Sequence, residues 1–503
     1  MIKRLIGFGV IPIASLYLAF FADLAPGRPE IAYTLAIAVL MAGWWITEII
    51  PLAITALLPV VLFPVFGVMD GKAVSSAYFN HVIFLFIGGF IMALAMQKWE
   101  LHRRIALKIM MMTGSSPKQV LLGFMLSTAF LSMWISNTAT AMMMVPIVMS
   151  VTKKLADFLD TATLKRYSVG LLLAVAYSAS VGGIATLVGT PPNLSFARIL
   201  QIMFPTAPEI SFGSWFLFAL PVSLIMLGFI WLLLTSIYQP KGFDAMKANE
   251  AIRSEYKRLG KKTQEEKIIL VLFTSLALLW LTRANLGFGS FTIPGWSNLL
   301  PYPDYLNDGT VAIAIAVLLF LIPSSESKGK RLMDWETASG LPWNIVLLFG
   351  GGFALAGAFK SSGLSLWIGE LMSETHGMPI LVIIAIIAFS MTFLTELTSN
   401  TATTEMALPI LAGLAVSMEI NPLLLMLPAT ISASMAFMLP VATPPNAIVF
   451  GSNQITVAQM AGTGLLLNLV GVVIVTLSTY FWGAWVFDID VTLLPQWATF
   501  TTH

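Results

Sequence analysis

One pentapeptide is written twice. Ser136-Asn137-Thr138-Ala139-Thr140 and Ser399-Asn400-Thr401-Ala402-Thr403 both read SNTAT, and each is followed at equal distance by a proline, Pro146 and Pro409. The neighbourhood repeats too. Gly88-Gly89-Phe90 matches Gly351-Gly352-Phe353 at the offset that separates the pentapeptides, 263 residues (351 − 88 and 399 − 136). Thr190-Pro191-Pro192-Asn193 returns as Thr443-Pro444-Pro445-Asn446 at an offset of 253 (443 − 190), which fits a longer polar loop, Lys153 to Arg166, in the first half. Ser-Ala-Ser precedes each TPPN block, at Ser178 to Ser180 and at Ser432 to Ser434. Matched blocks in one order constrain the chain to two halves of one design.

The solvent of that design is lipid. Hydrophobic residues make up 57% and charged residues 10% of the chain, against about 25% charged in soluble domains. Many apolar runs approach or exceed the ~18 residues that suggest a bilayer span. The expected class is an all-α polytopic membrane protein. A net charge of +2 gives no reason to expect nucleic acid, and the absence of Cys excludes disulfides, thiolate metal sites and a Cys nucleophile. His81, His102, His376 and His503 show no metal-ligand spacing. The apolar run after Met1-Ile2-Lys3-Arg4 lacks a clear cleavage site and reads as a first span rather than a signal peptide.

Spans are expected near Leu5–Phe21, Ile31–Ile49, Leu52–Phe66, Val82–Met96, Gly170–Leu200, Trp215–Tyr238, Ile268–Trp280 and Val311–Ile322, then from Trp343, over Pro422–Phe450, and over Leu465–Phe487. Gln97 to Met112 mixes basic and apolar residues like an interfacial helix, and Ala358 to Ser373 resembles it. The segments around each SNTAT, Val120–Val151 and Pro379–Ala415, are too short to cross twice. Each reads as a re-entrant hairpin with SNTAT at its tip. Lys241 to Lys267 and Ser324 to Arg331 read as basic loops, and Pro294, Pro301 and Pro303 mark another loop. Basic loops near 97–118, 153–166, 241–267 and 328–331 place that side in the cytoplasm. About eleven crossings then put the N-terminus inside and the C-terminus outside, so the two hairpins enter from opposite sides as an inverted repeat. The location is a multi-pass plasma membrane, the inner membrane in a bacterium.

Irregular backbone at membrane depth survives only in a protein interior or beside a wet cavity. Each break frees carbonyls where one helix ends and amides where the next begins. Ser, Asn and Thr are N-cap residues, and Thr-Pro-Pro places a cap before proline at the first helical position. Helix starts favour anions, while ending carbonyls and Ser, Thr and Asn oxygens suit a hard cation such as sodium. No Lys or Arg lies in either SNTAT or either TPPN block. A dianion would therefore be held by neutral dipoles and by bound cations, which couples the two, because desolvating it alone is too costly.

A single SNT at a hairpin tip reads as a cap or an interhelical hydrogen bond; the inverted duplicate with paired TPPN turns the reading to a ligand site. Gly88, Gly89 and Gly350 to Gly352 read as close-packing positions. Glu396 and Glu405 flank the second tip, but Met133 and Met142 stand at the equivalent places in the first half, so the acids read as packing or gating groups. Met142 to Met144 suit adaptable packing. Glu48, before Pro51, marks a water interface.

The paired SNT, the TPP breaks, the order of elements and Trp44-Trp45-Ile46-Thr47-Glu48-Ile49-Ile50-Pro51 resemble the divalent anion/sodium symporters, which include sodium-coupled dicarboxylate and citrate carriers. The resemblance covers about residues 5 to 487. It implies a homodimer working by an elevator motion, with a scaffold domain (1–116 and 241–377) and a transport domain (117–240 and 378–503). It implies a first sodium site of Ser132, Ser136, Asn137 and Gly189, and a second of Thr395, Thr398, Asn400 and Ala442, several through carbonyls. Substrate carboxylates would meet Asn137, Thr138, Asn400, Thr401 and Thr443, with Pro444 lining the pocket. At Thr398 a small residue donating its carbonyl would serve equally. The intact SNT in both halves, with Thr-Glu-Leu before the second, resembles the dicarboxylate rather than the sulfate branch.

The expected function is a sodium-coupled importer of C4-dicarboxylates such as succinate, malate and fumarate, with lipid as surroundings and no organic cofactor. Alternatives are a sodium-independent dicarboxylate exchanger of the same fold, or a citrate or sulfate carrier. A channel would pass uncoupled currents. An intramembrane hydrolase would need a Ser–His, paired-Asp or metal constellation, and His81, whose repeat partner is Asn344, has none in sequence.

Overall fold

The computed structural model describes residues 2–156, 159–240, 245–288, 291–326, 329–371 and 378–499. Lys241, Ser373, His376, the boundary at 377 and His503 lie outside them. Apart from two three-residue strands, Leu286–Phe288 and Phe291–Ile293, the regular structure is helical. Among the described residues, seven helices are long and apolar enough to cross a membrane.

The helix Thr161–Ile184 runs through the centre, and every residue from Tyr167 to Ile184 is buried. A helix apolar all round is a core helix, and small residues let its neighbours close in. At Gly182 a Cβ would overlap the backbone of Ala129, and at Gly170 it would lie 2.6 Å from Tyr238 Cβ. The duplicated glycines work in the same way. A Cβ at Gly88 would meet the Ala312 carbonyl carbon at 2.6 Å. Gly350 admits the Tyr78 ring, Gly351 the Ala56 carbonyl, and Gly352 the Glu405 carboxyl. The packing reading holds at these positions.

Each SNTAT lies at the turn of a helix–turn–helix. The first joins Pro117–Ser132 to Asn137–Leu155, the second Ile380–Leu394 to Asn400–Ser417. Each TPPN starts the second part of a broken helix: Thr161–Ile184 resumes at Pro191–Met203, and Leu423–Ser432 at Pro444–Phe450. The pairing crosses the halves. Asn137–Leu155 packs on Pro444–Phe450, and Asn400–Ser417 packs on Pro191–Met203.

Polar contacts define two opposite ends. At the basic end Lys98 pairs with Asp334 at 2.5 Å, Arg103 with Glu255 at 3.1 Å, and Arg104 with Glu266 at 2.8 Å. The Lys98 ammonium and the Thr337 amide hold the Asp334 carboxyl well below the usual carboxylate range. The first hairpin opens here, because Lys154 Nζ reaches Ser254 Oγ at 3.0 Å and Ser150 Oγ donates to Glu255 at 3.3 Å. At the other end Arg283 binds Asp308 at 2.5 Å and Glu209 at 2.6 Å, and Lys360 Nζ donates to the Ile202 carbonyl at 2.9 Å.

Several sequence expectations are corrected. Leu52–Phe66 is two short helices, Leu52–Thr55 and Leu58–Val65, because the Ala56 carbonyl turns to accept the Tyr78 hydroxyl at 2.5 Å. The basic segment Lys241–Lys267 contains a helix, Ala245–Arg258, whose Glu255 and Tyr256 pack on Arg103 and Arg104. The Trp343 helix runs past Ala358 to Ser362, and the interfacial-like helix begins at Leu364 after Gly363, whose φ of 78° ends the first. The second break starts after Ser432, well before Thr443. The proline-marked loop carries the strand pair, and Ser324–Arg331 is closed by a Pro323–Arg331 bridge.

Arg104 is buried and also donates to the Gly260 and Leu259 carbonyls, each at 3.2 Å. Arg104→Ala leaves Glu266 buried without its charge partner, and removing one member of a buried pair costs about 3–5 kcal/mol. We expect a lower melting temperature in detergent, with Arg104→Lys intermediate because an ammonium cannot fork. A melt unchanged by Arg104→Ala would show that the pair contributes nothing.

Candidate functional site: two hairpin tips on two broken helices

At the first tip Ser132 Oγ donates to Asn137 Oδ1 at 2.5 Å, and Ser136 Oγ caps the Ala139 amide at 3.2 Å. The tip lies against the first break. A Cβ at Gly183 would meet Asn137 Oδ1 at 2.7 Å and the Gly189 carbonyl oxygen at 3.0 Å, so both oxygens border one point. Thus Ser132, Asn137 and Gly189 are brought together, with Ser136 as the cap.

The second tip repeats the bond. Thr395 Oγ1 donates to Asn400 Oδ1 at 2.6 Å and also lies 2.9 Å from the Ala433 carbonyl. Ser132 and Thr395 are 263 apart (395 − 132), as are Asn137 and Asn400 (400 − 137). Thr398 differs. Its hydroxyl is committed to the Leu394 carbonyl at 2.9 Å and to Thr403 Oγ1 at 2.6 Å. Ala442 is buried in the unwound segment beside Thr443, whose Oγ1 caps the Asn446 amide at 3.3 Å. No bond joins Ala442 to Asn400 among the described residues. Of the expected substrate contacts, Asn137, Thr138 and Asn400 are half-buried, Thr401 and Thr443 are buried, and Pro444 is exposed.

The last residue of each TPPN block is a clamp. Asn193 Nδ2 donates to the carbonyls of Gly183, Ile184 and Thr186 at 3.4, 3.1 and 2.7 Å. Asn446 Nδ2 donates to those of Ala436 and Leu439 at 3.1 and 3.0 Å. Gly183 and Thr186 map to Ala436 and Leu439 at the 253 offset (436 − 183, 439 − 186). One side-chain amide thus satisfies the carbonyls that each helix frees on ending. The duplication displayed both Asn residues, but the motif reading used them only as repeat markers.

Tip and break are tied differently in the two halves. In the first, Thr186 Oγ1 donates to the Met133 carbonyl at 2.5 Å, and Trp215 Nε1 donates to the Ile184 carbonyl at 3.0 Å. In the second, Glu396 stands where Met133 was. Its Oε1 accepts the Phe437 and Met438 amides at 2.7 and 2.9 Å and Asn468 Nδ2 at 2.7 Å, and its Oε2 accepts the Leu439 amide at 3.0 Å. Asn468 is itself the repeat mate of Trp215 (468 − 215 = 253). Glu396 is a staple for unwound backbone; the packing reading understated it, because nothing in sequence shows that amides 437–439 need an acceptor.

A family model described as the sodium:sulfate symporter transmembrane region matches residues 10–489. The chain belongs to this family. It is 43% identical over 466 residues to the sodium-dependent dicarboxylate transporter SdcS of Staphylococcus saprophyticus, covering 92% of this chain and 88% of the relative. It is 42% identical over 465 residues to SdcS of Staphylococcus aureus, covering 91% and 87%. Among solved structures, Neisseria gonorrhoeae MtrF matches with TM-score 0.56 at 13% identity, over 96% of this chain and 99% of that one. The Alcanivorax borkumensis YdaH transporter matches with TM-score 0.57 at 12% identity, over 91% and 98%. These two likenesses concern the fold alone. The relatives are named as transporters, and this member of the family is a transport protein rather than a hydrolase.

Glu396→Gln keeps the shape of the staple but points an N–H₂ at backbone donors. Buried donors left without acceptors cost about 1–3 kcal/mol each. A lower melting temperature is expected, with a smaller fall for Asn468→Ala; a Glu396→Gln melt overlying that of the wild type would remove the staple from the account.

Proposed function

We propose that this chain carries C4-dicarboxylates such as succinate, malate and fumarate into the cell together with sodium ions. The observation that carries the reading is the matched pair of tips, where a hydroxyl at 132 or 395 holds an Asn oxygen at the start of the next helix, against a broken helix. Relatives 42–43% identical are named sodium-dependent dicarboxylate transporters, which supports it.

Sodium ions are cargo in this reading. Ser132, Ser136, Asn137 and Gly189 hold one; Thr395, the Thr398 carbonyl, Asn400 and Ala442 hold another. Asn137, Thr138, Asn400, Thr401 and Thr443 receive the two carboxylates beside Pro444. Helix starts and sodium ions supply the positive potential, and without the ions the dianion would exchange water for neutral dipoles alone.

The seven long helices, with Leu52–Val65, Gln264–Leu281, Asp308–Leu321 and the broken Leu423–Phe450, make the eleven crossings, and the helix–turn–helix units enter as re-entrant hairpins. The basic end faces the cytoplasm, and the C-terminus lies outside. Segments 117–240 and 378–503 slide as one body against 1–116 and 241–377, the scaffold of a homodimer.

Purified protein in liposomes should take up radiolabelled succinate only with an inward sodium gradient. Uptake that ignores sodium but requires internal dicarboxylate would replace symport by exchange. Asn137→Ala and Asn400→Ala should each lower uptake to background, and full activity in either would remove that residue from the site.

A further inference from the structure

Glu405 is fully buried. It is held by one partner, Ser195, whose Oγ donates to Oε1 at 2.5 Å, while Oε2 is buried with no hydrogen bond. Its wall is Gly352, where any Cβ would overlap the carboxyl. Three helices therefore close on it: its own Asn400–Ser417, Pro191–Met203 bearing Ser195, and Trp343–Ser362 bearing Gly352.

Among the described residues no counter-charge pairs with it. On Pro191–Met203 the ionisable group is Arg198, whose Nη1 lies 3.5 Å from Gln201 Oε1. On Trp343–Ser362 it is Lys360, bonded to the Ile202 carbonyl. Asn400–Ser417 and Leu423–Ser432 carry no other ionisable residue. Leu364–Leu371 carries Glu370, but meets the far end of the Glu405 helix through Gly369 and Gly413. Pro29–Thr47 carries Glu30, paired with Arg28. Glu405 is in none of the ion pairs among the described residues. An ionised carboxylate so placed is far costlier than a neutral acid with one unpaired oxygen.

The repeat says where this group goes. Glu405 is the mate of Met142 (405 − 142 = 263). Met142 is 60% exposed whereas Glu405 is 0% exposed. Met142 lies one turn beyond Thr138, on the helix face that ends at exposed Pro146. Glu405 stands one turn beyond Thr401 in the same relation, but covered. Exchanging the conformations of two inverted halves would cover Met142 and open Glu405.

We propose that Glu405 is a proton-binding site that is loaded in this conformation and exposed to water in the alternate one. The inference rests on the transport reading above. As the mobile segments slide, Ser195 travels with Glu405, whereas Gly352 stays with the scaffold. The acid then meets water on the face opposite the basic end, where its O–H breaks and the proton passes to water. On return the carboxylate takes a proton from water before it is covered. Acid therefore favours the present conformation, and alkali favours the alternate one. The ionised acid, one turn from Thr401, also repels a dianion there.

The chain has no cysteine, so Met142→Cys gives a single reporter. In proteoliposomes with sodium fixed and no substrate, its labelling by a maleimide is followed from about pH 5 to 9 and divided by the rate in a Met142→Cys, Glu405→Gln background, which cancels thiol chemistry. One linked proton changes the ratio of the two states by up to about tenfold per pH unit. The labelling ratio should fall as pH rises, and Glu405→Met should behave like Glu405→Gln. Ser195→Ala keeps the acid and should move the midpoint; if neither Glu405 variant folds, the two midpoints are compared after dividing each rate by that of a free small-molecule thiol at the same pH. A ratio flat with pH, or a midpoint unmoved by Ser195→Ala, overturns the proposal. Sodium-driven uptake is measured on wild-type vesicles: its absence would sink the transport reading, whereas a flat ratio with uptake intact sinks the proton site alone.

Discussion

An unwound helix inside an apolar protein persists only if its freed amides and carbonyls find partners. That constraint governs this molecule. Asn193 and Asn446 collect the carbonyls where two helices stop. Glu396 collects three amides of the second break, and Trp215 and Thr186 bind the first. In the proposed reading, the oxygens of Ser132, Asn137, Gly189, Thr395 and Asn400 are then the ones offered to a ligand, while the side chains that hold the breaks act only on backbone.

The halves share a plan but not its details. Asn clamps and hydroxyl-to-Asn bonds are duplicated, because they meet backbone needs that duplication copies. The ties between tip and break are not. Met133 presents a carbonyl where Glu396 presents a carboxylate, and Trp215 stands where Asn468 does. The substitutions co-vary in chemistry: a hydroxyl donor meets a carbonyl in one half, and amide donors meet an acid in the other. The glycine triad shows the same economy, with adjacent positions admitting a ring, a carbonyl and a carboxyl.

Much of this was legible in the sequence because it repeats. The SNTAT blocks located both tips, the TPPN blocks located where both broken helices resume, and the repeated Gly-Gly-Phe located tight helix contacts. What escaped was whatever depended on one half alone or on tertiary partners. The Ala245–Arg258 helix reads as a solvated basic run until Glu255 and Tyr256 find Arg103 and Arg104. The break at Thr55–Leu57 sits in a mainly apolar run, just before Pro59, where Tyr78 claims the Ala56 carbonyl. The second break opens ten residues before its Thr-Pro-Pro (443 − 433) because Glu396, far upstream in sequence, accepts the amides of 437–439. From Tyr167 to Ile184 the central helix gives no face to read, being buried on all sides.

The central claim is that a dianion is held by helix starts and alkali ions, with no basic side chain in the duplicated blocks. Equilibrium binding of succinate to purified protein, titrated against sodium at constant ionic strength, tests it most directly. The account predicts that Kd falls steeply as sodium rises and that potassium does not substitute. Tight succinate binding without sodium, with a Kd indifferent to its concentration, would contradict it.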